Sequence, residues 1–421
     1  MSKFEKLHKE PGKSPCIADN FRNFVRVKRV FSSNCRICSF IVKEERVGYV
    51  RLVQIRDFST DRYKVYVPDT PNLRHFDVND VLIARYGASL GKICTGLAGV
   101  YNVALAKVFF SEDVLYSKYV YWMLHSDFFQ EPLTRISRTA QVGFNKSDLS
   151  GFRMPLPPLP EQRRVVERIE SLFTKLDEVR DKARAVLDGY EYRRAAILHK
   201  AFTGELTAQW RKVNGRGAGA WKTVTFRDVA EVKSNLVSPF DYPDYPHIAP
   251  DNIEKKTGVL LDYRTISEDG IQSSNHLFHA GQILYSKIRP NLSKVVMVDF
   301  DGLCSADMYP IEPKPGVDTV YLWYYMLSNE FFHQVLASMK GSLLPRIRQK
   351  DLSGLKVRIT DYEEQRVISR IIRETLDDEW KVKESAEAVL TRVDLMKKAI
   401  LGRAFRGLLG TNHPEEPCAA V

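Results

Sequence analysis

The chain of 421 residues carries its own second copy, and that duplication limits the fold to two versions of one unit. Ala196-Ile197-Leu198-His199-Lys200-Ala201-Phe202-Thr203-Gly204-Glu205-Leu206 recurs 203 residues on as Ala399-Ile400-Leu401-Gly402-Arg403-Ala404-Phe405-Arg406-Gly407-Leu408-Leu409. Lys146-Ser147-Asp148-Leu149-Ser150-Gly151 recurs as Gln349-Lys350-Asp351-Leu352-Ser353-Gly354. Glu161-Gln162-Arg163 recurs as Glu364-Gln365-Arg366, and Met123-Leu124 with Phe128-Phe129 recurs as Met326-Leu327 with Phe331-Phe332. Further upstream, Val81-Leu82 through Lys92 matches Ile283-Leu284 through Lys294 at an offset of 202. Five matches in one order exclude coincidence.

The length admits two to four domains, each with a core of its own. No apolar run approaches a membrane span, and no signal sequence opens the chain. Six scattered cysteines do not make a disulfide framework, so a reducing cytoplasm is expected. Cys35 and Cys38 form one C-x-x-C pair without a second, so structural thiols are favoured over a metal site. The net charge of +11 points toward a polyanion. It is unevenly spread: residues 1–220 hold 37 basic against 24 acidic side chains, and residues 221–421 hold 26 against 28. Any anion site in the second half must come from a local cluster. A basic protein with no nucleic-acid partner is the plain alternative.

Each unit opens with short strand-like runs such as Arg51–Arg56 and Ile283–Ile288, separated by turn signals including Pro68-Asp69 and Asp301-Gly302. Aromatic-rich helical stretches follow at Tyr116–Phe129 and Tyr321–Phe332. The Pro-rich string Met154–Pro160 then stops regular structure and starts a helix, with Glu161 in its first turn. Along that helix Val165, Ile169, Leu172, Leu176, Val179, Ala183, Val186 and Tyr190 alternate steps of four and three, a heptad seam. The run to Ala201 measures about 55 Å at 1.5 Å per residue. Gly204 is a suitable stop after Lys200. The second copy places Ile368, Ile372, Val382, Ala386, Val389, Val393, Ile400 and Ala404 likewise, with Thr375 and Glu379 interrupting. Two similar seams most simply pair with each other, antiparallel; packing of each on its own domain is the alternative. The predicted boundaries are a first domain over 1–159, a helix over 160–207, a Gly/Arg-rich linker over 208–221, a second domain over 222–362, a helix over 363–410 and a tail over 411–421.

No catalytic motif stands up. Gly87-Ala88-Ser89-Leu90-Gly91-Lys92 lacks the spacing of a phosphate loop and has Ile93 where a metal-binding hydroxyl belongs; its second copy has neither glycine. Asp244, Glu254 and Lys256 imitate a metal-dependent nuclease, but the pattern is short and has no counterpart in the first unit.

The string Met154–Arg163, the long helix and Ala201–Leu206 together resemble the DNA-specificity (S) subunit of type I restriction–modification systems. Val81–Ala88, Tyr101–Lys107 and Gln282–Pro290 add to the resemblance, which spans nearly the whole chain except about the first 25 residues. It implies an α+β fold: two tandem α/β target-recognition domains, each followed by a long helix, the helices pairing as an antiparallel coiled coil with pseudo-two-fold symmetry. It implies a non-catalytic subunit reading a split, asymmetric site on double-stranded DNA. Two methyltransferase (M) subunits and restriction/translocase (R) subunits would be its partners, with S-adenosylmethionine, Mg and ATP on those partners and no cofactor here. A metal-dependent nuclease and a protein-only coiled-coil scaffold are the rival readings.

Donors in turns near the repeated words are the expected DNA contacts: Arg85, Tyr86, Lys92, Arg135, Arg138, Gln141 and Lys146 in the first unit, and Lys287, Arg289, Asn291, Lys294, Arg346, Arg348 and Lys350 in the second. Arginine suits guanine edges, asparagine and glutamine suit adenine, and lysine mostly neutralises phosphate. Helix length would act as a ruler, so four residues inserted beside Thr203–Thr207 are expected to widen the gap between half-sites.

Overall fold

The structure is a computed structural model describing residues 17–18, 26–27, 41–136, 143–144, 148–149, 152, 154–217, 220–339 and 345–410. The chain divides into two compact units that do not follow the sequence repeat. One comprises residues 1–183 and 388–421, the other residues 184–387. The division cuts both long helices, so each unit keeps its own globular part, the start of its own helix and the end of the other copy's helix. The shared Ala-Phe word explains this. Phe405 closes the second helix and packs edge-on against Tyr119 of the first unit, ring centroids 5.2 Å apart. Phe202 closes the first helix and meets Tyr321 and Tyr325 of the second unit at 5.3 and 5.1 Å. All these aromatics are buried, none more than 3% exposed.

Each unit holds a four-stranded antiparallel sheet and a second sheet with one parallel pair, of four strands in the first unit and five in the second. In the first, Arg26–Val27, Leu105–Phe109, Leu82–Ala84 and Ile93–Cys94 are neighbours in that order, all antiparallel. Its other sheet runs Tyr66–Pro68, Tyr49–Val53, Gly99–Tyr101, His75–Phe76, with the middle pair parallel. The second unit repeats this with Ala230–Val232, Met308–Pro313, Ile283–Ser286 and Val295–Met297. Its five-stranded sheet again has one parallel pair, Pro246–Ile248 beside Gly302–Cys304. Ile283–Ser286 is buried on both faces, as a central strand covered on each side must be. Two short strands lie near the N-terminus: Ile17–Ala18, in the stretch outside the resemblance, pairs with Met154–Pro155, and Arg26–Val27 pairs with Val108–Phe109. Each aromatic stretch is two helices rather than one, Ser117–His125 with Asp127–Ile136 and Thr319–Met326 with Asn329–Ser338. Buried Ser126 and Ser328 mark the breaks, their hydroxyls donating to the carbonyls of Met123 and Tyr325.

The long helices span Leu159–Asp188, Tyr190–Thr203 and Tyr362–Ala404; a single turn at Gly189 interrupts the first copy. Within each unit the contacts run in opposite directions along the two helices. In the first unit Lys397 bonds Asp177 at 2.6 Å and lies over Phe173, while Leu401 and Ala404 share a core with Val165 and Ile169. In the second, Lys383 lies over Tyr190, Arg193 pairs with Glu379 at 2.8 Å, and Leu198 shares a core with Ile368 and Ile372. The pairing is antiparallel.

The expected seam is corrected in its middle. Val165, Ile169, Ile368 and Ile372 are buried, and Leu172, Leu176 and Val186 half-buried, but Val179, Val382 and Val389 are exposed by 44, 47 and 36%. The inward face of the second helix instead carries Glu379, Lys383, Ala386, Leu390, Val393 and Lys397. The reason is that polar positions in this seam have partners. Glu379 accepts from Arg193, and Lys397 donates to Asp177, so Glu379, which looked like an interruption, helps to set the register.

Gly204 ends its helix at φ +84°, and Gly407 stands in the same left-handed conformation in the second copy. The linker is more anchored than its composition suggests. Ala208–Val213 is helical, Arg211 donates to Thr207, Gly204 and Glu364, and Arg216 donates to Asp361 and Glu363.

Candidate nucleic-acid interface

The repeated words around Arg85 and Lys287 build one device twice. In the first unit the Leu82–Ala84 strand leads into a turn over Gly87–Ser89, and Tyr86 forms a bridge with Gly143. In the second, Ile283–Ser286 leads into a turn over Pro290–Leu292, and Ile288 forms a bridge with Arg346. Backbone bonds agree. The Arg85 N–H donates to Ala104 and its carbonyl accepts from Phe144, while the Lys287 N–H donates to Asp307 and its carbonyl accepts from Ile347. The turn thus holds down the segment before each Asp-Leu-Ser-Gly word. It is not a phosphate loop: Gly87 and Gly91 sit at φ +69° and +79° because the hairpin needs left-handed residues there. Their counterparts Arg289 and Ser293 adopt φ +46° and +45° without glycine, a strained backbone.

Arg85 is buried, and its guanidinium donates to the carbonyls of Phe144 and Val103 while stacking on Tyr86. Its charge therefore serves the fold. Tyr86 is 42% exposed. Lys287 is half-buried over the Tyr309 ring, and burial, helped by the Arg346 charge, holds its ammonium below the ordinary lysine range. Arg346 is exposed and 3.3 Å from Asp307. Arg135, Arg289, Asn291, Arg348 and Lys350 are exposed. Arg138, Gln141 and Lys146 lie outside the described residues, as do Cys35, Cys38 and the tail from 411.

Lys92 and Lys294 occupy equivalent places beside a second turn, the 3-10 turn that follows the parallel-paired strand of each unit. That turn is Ile55–Phe58 in the first unit and Pro250–Asn252 in the second. Lys92 donates to Ser59 at 3.2 Å, and Lys294 to the Pro250 carbonyl at 2.6 Å. In the first unit a groove of about 350 Å³ is lined there by Gln54, Arg56, Ser89, Lys92 and Asn102. The sequence reading did not single out Gln54, Arg56 or Asn102. Their turn carries no repeated word, and only the parallel pairing brings it to the hairpin.

The acidic pair Asp244 and Glu254 lies on exposed turns, and the described residues contain no group of three or more His, Cys, Asp or Glu able to hold a metal ion. No helix among them is long and apolar enough to cross a membrane.

The family model described as the type I restriction modification DNA specificity domain matches residues 23–185 and again 219–390. The chain belongs to that family. Among curated relatives, it is 33% identical over 357 residues to the EcoDI specificity subunit of Escherichia coli, covering 79% of each. It is 21% identical to the MjaVIII specificity subunit of Methanocaldococcus jannaschii, covering 87% of this chain and 88% of that one. Among solved structures, the HsdS subunit from Thermoanaerobacter tengcongensis aligns over 95% of this chain and 99% of its own, with 18% identity and a TM-score of 0.57. A chain from a study of assembly and conformational transition in a type I R-M system aligns with a TM-score of 0.66 at 17% identity, over 95% and 100%. The two matched segments of the specificity family bracket the two globular parts, so the duplication and the family agree. The chain is a specificity subunit of a type I restriction–modification system, and neither the nuclease nor the scaffold reading is supported by these relatives.

Proposed function

We propose that each unit reads one half of a bipartite, asymmetric DNA site, so that the chain directs adenine methylation or cleavage by partner subunits. Those partners are two methyltransferase subunits and the restriction/translocase subunits, and they carry the S-adenosylmethionine, Mg and ATP. The complex works in the cytoplasm, and this chain contributes recognition rather than chemistry. One observation carries the reading: two units share a backbone frame down to single hydrogen bonds while their exposed turn residues differ. A frame held constant with a variable rim suits two readers of different sequences. Tyr86, Lys92, Arg135, Arg138, Gln141 and Lys146 are the candidate contacts of the first unit, and Lys287, Arg289, Asn291, Lys294, Arg346, Arg348 and Lys350 those of the second.

Methylome sequencing tests this. The chain is expressed with its partner methyltransferase subunits in a host lacking the system. A two-part methylated motif with different halves is expected; a continuous motif, or none, would contradict the reading. Arg346→Ala is expected to weaken or relax one half only.

A further inference from the structure

The turn after the parallel-paired strand offers a site that no repeated word announces. Val53 pairs in parallel with Tyr101, and Ile248 with Cys304, which aligns the turn Gln54-Ile55-Arg56-Asp57 with Ala249-Pro250-Asp251-Asn252. The frame of the turn is the same in both. The Gln54 N–H donates to Asp57 Oδ2 at 2.7 Å, and the Ala249 N–H donates to Asn252 Oδ1 at 2.8 Å. On the neighbouring strand end, the Ala104 N–H donates to Asn102 Oδ1 at 3.0 Å, and the Asp307 N–H donates to Ser305 Oγ at 3.2 Å. A lysine, Lys92 or Lys294, stands beside each turn.

Residues whose side chains hold this frame keep their chemistry between the copies: Asp57 and Asn252 both accept, and so do Asn102 and Ser305. Residues whose side chains the frame does not use change character: Gln54 becomes Ala249, and Arg56 becomes Asp251. Arg56 and Asp251 are exposed. Arg56 lies 4.9 Å from the Tyr63 ring centroid, which restricts its guanidinium, and Asp251 stands 3.5 Å from Lys294 Nζ.

We infer that this turn is a base-reading edge in both units, and that Arg56 and Asp251 are specificity-determining residues for opposite halves of the site. The inference rests on the specificity reading above. A lysine at the turn suits a phosphate and fixes register, and the rim side chain then meets the base edge. Arg56 presents planar donors, matched by the N7 and O6 acceptors of guanine; Asp251 presents acceptors, matched by the exocyclic amine of cytosine or adenine.

The test uses the full chain with its methyltransferase partners, and compares methylated motifs of the natural chain, Arg56→Ala and Asp251→Ala. Arg56→Ala is expected to relax one guanine-bearing position in one half, with discrimination falling roughly 10- to 100-fold, and to leave the other half intact. Asp251→Ala is expected to relax a position in the other half whose base carries an exocyclic amine. Unchanged motifs in both variants, or loosening of both halves by one variant, overturn the inference while the bipartite reading stands. If Arg56→Ala abolishes methylation, Arg56→Lys decides: it keeps the charge and loses the fork, so an altered motif supports the inference and the natural motif refutes it. Absence of a two-part motif in the natural chain is a separate failure, that of the specificity reading.

Discussion

Gln162 and Gln365 show what the repeated Glu-Gln-Arg word is for. Each is fully buried at the start of a long helix. Gln162 accepts from the Tyr116 N–H and donates to the carbonyls of Val114 and Pro157; Gln365 accepts from the Asp318 N–H and donates to Gly316 and Thr360. The amide pins the helix start to the loop before the aromatic helix, using both donors and its acceptor. Gln365→Leu strands these groups without water, so the second unit is expected to lose about 2–4 kcal/mol. Denaturant unfolding followed by hydrogen exchange in residues 316–365 measures it. Gly91 is a second fixed point. A Cβ there would lie 2.7 Å from Gln130 Oε1 and 2.8 Å from Leu133 Cδ2, at φ +79°. Gly91→Ala should destabilise the first unit by about 1–3 kcal/mol, whereas Ser293→Gly at the equivalent place relieves backbone strain and should be tolerated. His125 gives the first unit a pH dependence. Burial holds its pKa below 6.5, against a smaller opposing effect of its bond to the Tyr121 carbonyl. A depressed histidine binds protons in the unfolded chain first, so stability is full above the unfolded pKa and falls as pH drops through 6.5 toward the folded value. His125→Leu should flatten the acid-side loss of protection in residues 117–136, read by hydrogen exchange between about pH 7 and 5.5.

At the scale of elements, the long helices are held by their ends and registered by their polar residues. Phe405 packs on Tyr119 inside the first unit's core, so Phe405→Ala should cost about 3–5 kcal/mol. Hydrogen exchange should then accelerate in residues 390–405 while residues 362–380, which belong to the other unit, keep their protection. Equal protection throughout would mean that the aromatic contact does not anchor the helix end. Glu364 makes the matching anchor in the second unit: it is sealed from water and accepts from Thr207, Thr360, Trp221 and Arg211. Thr207 is itself fully buried there, so a spacing change placed inside the helices leaves this anchor untouched.

For the whole molecule, that point yields the ruler prediction in revised form. The Tyr362–Ala404 helix has 43 residues, about 64 Å at 1.5 Å per residue. Seven residues inserted within it, and seven within Leu159–Asp188, preserve the heptad phase and add about 10 Å. At about 3.4 Å per base pair, the unread gap between half-sites should grow by roughly three base pairs, with both halves unchanged. Methylome sequencing of the extended chain reads this directly, and a motif of unaltered spacing would refute the ruler.

The duplication, the two long helices and the specificity family were all legible in the chain, because each rests on local signals: repeated words, periodicity and a Pro-rich stop. Residue roles were less so. Arg85 reads as a donor poised for DNA, yet its guanidinium is consumed by carbonyls of Val103 and Phe144, and Phe144 stands 59 residues away. Val382 and Val389 read as seam positions by hydropathy, but Glu379 and Lys397 take the inward face because Arg193 and Asp177 answer them. The sequence by itself determined that two like units exist and where their long helices begin. Only the tertiary structure decided that each unit is completed by the end of the other copy's helix, and that Gln54, Arg56 and Asn102 meet at Lys92. Both follow from pairing between distant strands and helices, whose energy depends on burial and partner geometry that no single stretch of sequence carries.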